Sequence, residues 1–148
     1  MTGGAKRIGR AIACDLAGQG WPVGVHFHHS KNEANTLVAK IMAAGGTAVA
    51  LDADLTDPTA TEALIGQATA ELGPVTALIN NASAFERDSI TDFSTKRWDG
   101  HLDINLRAPA ILTKAFATAL PENLNGNIIN LIDQRVWNLT GDFLSYSI

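Results

Sequence analysis

Thr2-Gly3-Gly4-Ala5-Lys6-Arg7-Ile8-Gly9 stands almost at the start of the sequence and decides its fold. The glycines fit a tight turn that leads straight into a helix, where the lack of a side chain lets the backbone approach a pyrophosphate. The exposed amides of such a turn and the positive end of the helix dipole both attract phosphate. Glycine pairs are also common in ordinary turns, so the turn alone leaves both readings open.

Beyond this turn, short apolar runs alternate with longer segments of helical spacing. Ile8, Ile12 and Leu16 recur every four residues and predict a first helix over residues 7–16. The same reasoning predicts strands at residues 23–28, 47–51, 75–79 and 127–132, and further helices at residues 31–44, 58–72 and 95–120. Repeated βα units of this kind predict an α/β fold with a Rossmann-like, doubly wound parallel sheet.

Two of these helices carry capping signals at their starts. Asp57-Pro58 fits an N-cap followed by proline at the first helical position. Ser30 and Glu33 fit a capping box, in which the two side chains satisfy backbone amides at the start of the helix. Both signals support the placement of the second and third helices.

The sheet is expected to be incomplete at both ends of the sequence. A glycine-rich turn normally follows a strand, yet only Met1 precedes Thr2. The pattern also ends at the start of a helix near Tyr146. We therefore expect residues 1–148 to form one partial dinucleotide-binding domain, a fragment without the first strand and the C-terminal part, and inactive when it stands alone.

Composition excludes several classes of protein. With 46% hydrophobic and 18% charged residues, the chain fits a globular domain, and its apolar runs are too short for a membrane span. The net charge of −4 and the scattered basic residues argue against nucleic acid. Cys14 is the only cysteine, so neither a disulfide nor a zinc cluster is expected. With no secretory pattern at its start, we expect a cytoplasmic protein that binds a small molecule.

The segment about twenty residues past the turn indicates which dinucleotide is bound. NAD-binding domains usually place an acidic residue there, on the ribose 2′-hydroxyl, whereas NADP requires groups that tolerate a phosphate. This sequence has His26-Phe27-His28-His29-Ser30, with no acid. Ser30, His29 and the cations of the turn can surround a phosphate, which favours NADPH. The alternative is that Ser30 only caps a helix and the histidines only end a strand.

Together these motifs resemble the short-chain dehydrogenase/reductase family over essentially the whole sequence, and its pteridine reductases in particular. Arg7 stands where the family has its middle glycine, as in the pteridine-reductase-like members, and the resemblance implies that Arg7 contacts the 2′-phosphate. Residues 26–30 are similar to their His-aromatic-His-basic-Ser stretch, with His29 in place of arginine.

The resemblance also implies a set of cofactor-binding residues. Asp54-Leu55 looks like the family's adenine contact, and Asn80-Asn81-Ala82-Ser83 is similar to its Asn-Asn-Ala-Gly motif. The residues expected to bind the cofactor are Gly3, Lys6, Arg7, Ile8, Gly9, His28, His29, Ser30, Asp54, Leu55, Asn81, Ala82 and Ser83.

Three residues match the family's catalytic positions. Asn105 matches the asparagine of the catalytic tetrad, Asp133 stands at the serine position, and Tyr146 follows thirteen residues later at the spacing of the catalytic tyrosine. Pteridine reductases also have aspartate at the serine position. The family's lysine would fall just beyond Ile148. Without the family, Asn105 would be a polar helix residue, Asp133 a turn residue and Tyr146 a half-buried aromatic.

The resemblance implies an NADPH-dependent oxidoreductase that transfers hydride to a carbonyl or a pteridine-like C=N bond. In this chemistry Tyr146 is the general acid, Asp133 binds the substrate or relays the proton, and Asn105 holds a water molecule. One alternative is a 3-oxoacyl reductase or another alcohol or ketone reductase of the family. The other is a non-catalytic dinucleotide-binding protein. A homo-oligomer, dimer or tetramer, is expected at full length, with no metal site.

Overall fold

Helices cover both faces of a parallel β-structure in the computed structural model, which describes residues 1–147. The strands are β1 (Val23–Phe27), β2 (Ala48–Asp52), β3 (Ala77–Asn80) and β4 (Asn127–Asn130). The helices are α1 (Arg7–Gly18), α2 (Lys31–Ala43), α3 (Pro58–Leu72), α4 (Thr95–Leu102), α5 (Ala108–Ala119) and α6 (Leu144–Ser147). The predicted α/β class is confirmed, and the predicted strands and first three helices differ from the observed ones only at their ends.

The strands form two parallel pairs, β1 with β2 and β3 with β4. Met1 and Thr2, at the start of the glycine-rich turn, lie between these pairs. The Met1 amino group donates to the Gly24 carbonyl at 2.9 Å, and the Met1 carbonyl accepts from the His26 amide at 3.1 Å. On the other side, the Thr2 amide donates to the Ile79 carbonyl at 2.9 Å. Met1 and Thr2 therefore join β1 to β3, in the place where the sequence pattern predicts a strand.

An apolar cleft of about 400 Å³ lies beside this junction, between the two strand pairs. Val23, Leu64, Leu78 and Leu112 are among the residues that line it. The core is divided accordingly. One buried cluster packs α1 and α2 against β1, and the other packs α3 and α5 against β2 and β3. None of the helices within residues 1–147 is long and apolar enough to span a bilayer.

The single helix predicted over residues 95–120 is wrong in one respect. Between α4 and α5 the backbone widens into a π-helical segment, Asp103–Arg107, in which the Ala108 amide donates to the Asp103 carbonyl five residues earlier. The cause is Pro109, which has no amide hydrogen to donate to the Asn105 carbonyl, so the regular ladder of hydrogen bonds is interrupted there.

Of the two predicted caps, one is confirmed and one is wrong. The Asp57 side chain accepts hydrogen bonds from the first amides of α3. Ser30 makes no side-chain cap on α2, and Glu33 instead pairs with Lys6 across 2.7 Å. A nearby ammonium group attracts a carboxylate more strongly than a neutral amide does, which explains why the capping box does not form. Ser30, whose hydroxyl is not used as a cap, lines the cleft described below.

Candidate active site

The glycine-rich turn is fastened to the end of β3 by a buried threonine. The Thr2 hydroxyl oxygen accepts from the amides of Asn81 and Ala82, each at 3.0 Å. In return, the Asn81 side-chain amide donates to the carbonyls of Thr2 and Gly3, each at 3.0 Å. These bonds join residues nearly eighty positions apart in sequence, and they hold the turn at the carboxyl end of the strands, where parallel α/β sheets bind ligands.

Gly9 explains why the turn needs glycine at the helix entry. A Cβ atom on Gly9 would lie 2.2 Å from the Gly3 carbonyl oxygen and 2.7 Å from the Asn81 side-chain nitrogen. Real Cβ atoms do not approach backbone so closely. The turn and the first turn of α1 therefore pack so tightly that only hydrogen fits, and the backbone is left accessible to a ligand from the other side.

Arg7 adopts a backbone conformation that usually belongs to glycine. Its φ of 49° lies in the left-handed region, which costs a residue with a side chain about 1–2 kcal/mol. The resemblance described under the sequence analysis implies glycine at this position. The exposed guanidinium of Arg7 has no ion pair within residues 1–147, whereas Lys6 is paired with Glu33. Arg7 is therefore the cation of the turn that is available to a ligand.

His26 supports the turn from behind. It is 4% exposed, and its Nδ1 accepts from the Gly3 amide at 3.1 Å. Nε2 consequently carries the proton and donates to the Ala53 carbonyl at 3.0 Å. Burial lowers the pKa of His26, so the ring is neutral at physiological pH, as this arrangement requires. The imidazole thus connects the turn, β1 and the end of β2.

Acidification is expected to destabilise the protein through His26. Because its pKa in the folded state lies below the ordinary value of 6.5, the unfolded chain binds the proton more readily. The contribution of His26 to stability is complete above about pH 6.5 and is lost as the pH falls through the lowered pKa. Urea unfolding across this range should show a falling free energy of unfolding, and a smaller dependence on pH in a His26→Gln variant. An unchanged pH dependence in that variant would contradict the assignment.

A cleft of about 680 Å³ runs from the turn to Tyr146. All thirteen residues predicted to bind the cofactor line it, together with Asp133 and Tyr146. At one end the His28 and His29 rings stack with centroids 3.6 Å apart, and His28 Nε2 lies 3.9 Å from an Asp54 carboxylate oxygen. Hydrogen bonds from the Thr56 amide and hydroxyl lower the pKa of Asp54, which keeps this carboxylate ionised.

At the other end, Tyr146 and Asp133 form a hydrogen-bonded pair. The Tyr146 hydroxyl donates to Asp133 Oδ2 at 3.0 Å, while Asp133 Oδ1 accepts from the Arg135 amide at 2.9 Å. Burial raises the pKa of Tyr146, and the bond to Asp133 raises it further. The phenol therefore keeps its proton at neutral pH and can act as a hydrogen-bond donor or a general acid toward a group in the cleft.

Asn105 is the predicted catalytic residue that does not line this cleft. It lies in the π-helical segment and faces a neighbouring cavity of about 660 Å³, which also reaches Asp133 and Tyr146. Its side chain accepts from the Ala84 amide and donates to the Ala84 carbonyl, each at 2.9 Å. Both functions of the amide group are used to hold the segment after β3, so a role in holding water stays a prediction.

The sequence analysis missed an aromatic group beside Tyr146. Phe85 stacks on Phe143 with centroids 4.3 Å apart and meets the Tyr146 ring edge-on at 4.7 Å. The Arg135 guanidinium lies 4.4 Å from the Phe143 centroid. Phe85 lines the cleft and is half exposed, although it is a large apolar residue. Phe85 could have been identified from the sequence by its position directly after the Asn-Asn-Ala-Ser-Ala run.

Comparisons with known proteins agree with this geometry. A family model described as short chain dehydrogenase matches residues 1–135. The crystal structure of FolM alternative dihydrofolate reductase 1 from Brucella canis, complexed with NADP, is 41% identical with a TM-score of 0.94, over 99% of this chain and 58% of that one. A blue fluorescent protein from a metagenomic library, in complex with NADPH, is 32% identical with a TM-score of 0.92, over 99% of this chain and 60% of that one.

Curated proteins give a similar result. The 3-oxoacyl-(acyl-carrier-protein) reductase FabG of Staphylococcus aureus is 30% identical over 131 residues, which are 88% of this chain and 53% of that protein. The chain thus spans about half the length of the curated relatives it matches.

Proposed function

This chain belongs to the short-chain dehydrogenase family, and from that premise we propose that it forms the cofactor-binding and proton-donating part of an NADPH-dependent oxidoreductase. The observation that carries the proposal is the single cleft in which the glycine-rich turn, residues 28–30 and Tyr146 come together. Position 9 has no room for a Cβ atom, so the turn requires glycine there. A tightly packed turn that requires glycine is typical of sites whose backbone binds a dinucleotide pyrophosphate. The nicotinamide, when bound, supplies the hydride.

The preference for NADPH rests on the charges at the ribose end of the cleft. Arg7 is exposed and without an ion pair in the described part of the chain, and the Ser30 hydroxyl is not used as a helix cap. The two nearby carboxylates have cationic or imidazole neighbours, Glu33 with Lys6 and Asp54 beside His28. A 2′-phosphate would thus meet a guanidinium and a hydroxyl rather than a competing carboxylate. The relatives crystallised with NADP or NADPH support the same choice.

The proton in this proposal comes from Tyr146. Its raised pKa keeps the hydroxyl protonated until the substrate accepts the proton, and Asp133 orients the hydroxyl through Oδ2. Asp133 also faces the cleft, so it is placed to bind a substrate N–H group or to help return a proton to Tyr146. Asn105 acts indirectly, by fixing the backbone at Ala84 next to the site.

For the substrate, we propose a flat ring with a C=N bond, such as a dihydropteridine. A carboxylate at position 133 can accept hydrogen bonds from ring N–H groups, which a ketone does not offer. The exposed face of Phe85 provides a surface on which a planar ring can stack. A relative named alternative dihydrofolate reductase supports this choice, whereas FabG supports reduction of a 3-oxoacyl group as the second candidate. Location in the cytoplasm and assembly into a homo-oligomer are further parts of the proposal.

A comparison of substrates separates the candidate functions. Oxidation of NADPH by the whole protein should be faster with dihydropteridines or dihydrofolate than with 3-oxoacyl thioesters. The reverse order would favour the second candidate. Tight binding of NADPH without oxidation by either class would favour a non-catalytic protein.

The protein is expected to bind NADPH at least about tenfold more tightly than NADH, and Arg7→Gly should remove most of this preference. A hydrogen bond to a charged group contributes about 1.5–3 kcal/mol, so NADPH affinity should fall by roughly ten- to a hundredfold while NADH affinity stays nearly constant. The same substitution relieves the left-handed strain and should raise the melting temperature. Isothermal titration and thermal denaturation measure the two effects.

Arg10→Ala is the matched control for this substitution. Arg10 lies on the same helix but does not line the cleft, so its removal should leave both affinities unchanged. Equal affinity of the unaltered protein for NADPH and NADH, or a preference for NADH, would show that the phosphate site is misassigned.

A further inference from the structure

Asp88 is a buried carboxylate that the proposed reaction does not use. It is 1% exposed. Its backbone and carboxylate groups all form hydrogen bonds with one short segment, residues 142–145. Its amide donates to the Asp142 carbonyl at 3.1 Å, and its carbonyl accepts from the Leu144 amide at 3.3 Å. Its carboxylate accepts from Ser145 twice, from the amide at 3.1 Å and from the hydroxyl. One residue thereby holds the segment that leads directly into Tyr146.

His101 completes the arrangement from α4. It is 2% exposed, and its Nε2 accepts from the Glu86 amide at 3.0 Å. Because a backbone amide can only donate, the proton of the neutral ring must be on Nδ1, which lies 2.6 Å from the Ser145 hydroxyl oxygen. Nδ1–H therefore donates to Ser145, and the Ser145 hydroxyl in turn donates to Asp88. The hydrogen-bond chain has a single direction.

The charge states agree with this direction. Burial raises the pKa of Asp88, but the two hydrogen bonds from Ser145 and nearby positive charge, including that of Arg97, together lower it more, and the net shift is downward. Burial lowers the pKa of His101 despite the nearby carboxylates of Asp88 and Glu86. Asp88 is therefore an ionised acceptor and His101 a neutral donor. The hydrogen bonds that run from His101 through Ser145 to Asp88 require this combination.

We propose that Asp88, Ser145 and His101 are positioning residues that hold Tyr146 against Asp133. This inference rests on the proposed role of Tyr146 as proton donor. The geometry that carries it is the adjacency of Ser145 and Tyr146 on α6, with the His101 and Tyr146 ring centroids 5.9 Å apart. Without the hydroxyl of Ser145, α6 keeps its backbone bonds to Asp88 but loses the side-chain bonds to Asp88 and to His101 of α4, which weakens the hold on the phenol at Asp133.

Tyr146 is the only tyrosine within residues 1–148. In the whole protein, with any tyrosine outside these residues replaced by phenylalanine, the near-ultraviolet absorbance of tyrosinate reports the ionisation of Tyr146 directly. The pKa of Tyr146 is raised by burial and by Asp133, and both causes disappear if the side chain moves out. In Ser145→Ala, we expect the titration midpoint to fall toward the ordinary value of about 10. Ser145→Thr keeps the hydroxyl and should restore the midpoint of the unaltered protein.

Ser147→Ala is the matched control, because the Ser147 hydroxyl has no hydrogen-bond partner within residues 1–147. It should titrate like the unaltered protein. His101→Phe keeps a ring of similar size but has no donor, so it should shift the midpoint in the same direction as Ser145→Ala. Circular dichroism confirms that each variant is folded. If Ser145→Ala and His101→Phe both titrate like Ser147→Ala, the positioning role is wrong.

The titration needs neither substrate nor cofactor. It can therefore contradict the positioning role without contradicting the proposed reaction. In the whole protein, a loss of positioning should lower kcat while the KM for NADPH stays constant, since Asp88, Ser145 and His101 do not line the cofactor cleft. A rise in KM for NADPH with constant kcat would overturn the inference and indicate a general structural role instead.

Discussion

Tyr146→Phe is expected to lower turnover of the whole protein by roughly a hundred- to ten-thousandfold, the usual contribution of a general acid. The substitution removes the hydroxyl that donates to Asp133 and keeps the ring that packs against Phe85. The residues of the turn and of the ribose end are unaffected, so NADPH affinity should change little. Steady-state kinetics with a dihydropteridine and titration with NADPH measure the two quantities.

Two controls accompany this prediction. Ser147→Ala removes a hydroxyl one residue further along α6 and should retain turnover. Asp133→Asn keeps the shape of the side chain but replaces the charged acceptor, so it should impair turnover while leaving NADPH affinity intact. Near-normal turnover of Tyr146→Phe would exclude Tyr146 as the proton donor, whatever the substrate.

Gly9→Ala is expected to abolish NADPH binding and to destabilise the fold. The new methyl group would overlap the Gly3 carbonyl and the Asn81 side chain. Both groups are held in place, because the Asn81 side-chain amide donates to the carbonyls of Thr2 and Gly3. Relief requires the backbone of the turn to move, at a cost of about 1–3 kcal/mol or more. Chemical denaturation and fluorescence titration with NADPH measure the losses of stability and of binding.

Gly66→Ala is the matched control for this substitution. Gly66 lies within α3, where an added Cβ meets no other atom within 4 Å. Alanine there should stabilise the protein by about 0.5–1 kcal/mol and leave NADPH binding unchanged. If Gly9→Ala and Gly66→Ala have the same effect, the close approach at the turn does not restrict residue choice there.

Local patterns in the sequence were sufficient to predict most helices and most strands, whereas most of the candidate cofactor-binding residues came from the family resemblance. Apolar spacing depends only on neighbouring residues, so α1 and α3 were predicted closely, as was the cap formed by Asp57. These residues line one cleft because parallel strands bring their carboxyl ends to one edge, where motifs distant in sequence meet. The capping box at Ser30 was wrong because Glu33 pairs with Lys6, which belongs to another element.

The sequence by itself determined the α/β class, the glycine-rich turn and the missing acid in residues 26–30, and the family resemblance identified Asp133 and Tyr146 as candidate catalytic residues. Only the tertiary structure decided how His26 supports Gly3, how Asn105 binds Ala84, and how Asp88 holds the segment before Tyr146. The physical reason is that these contacts join residues 21 to 57 positions apart, through side-chain hydrogen bonds that no periodicity records. Their partners are selected by burial, because a buried donor or acceptor must find whichever polar group the packing brings near it.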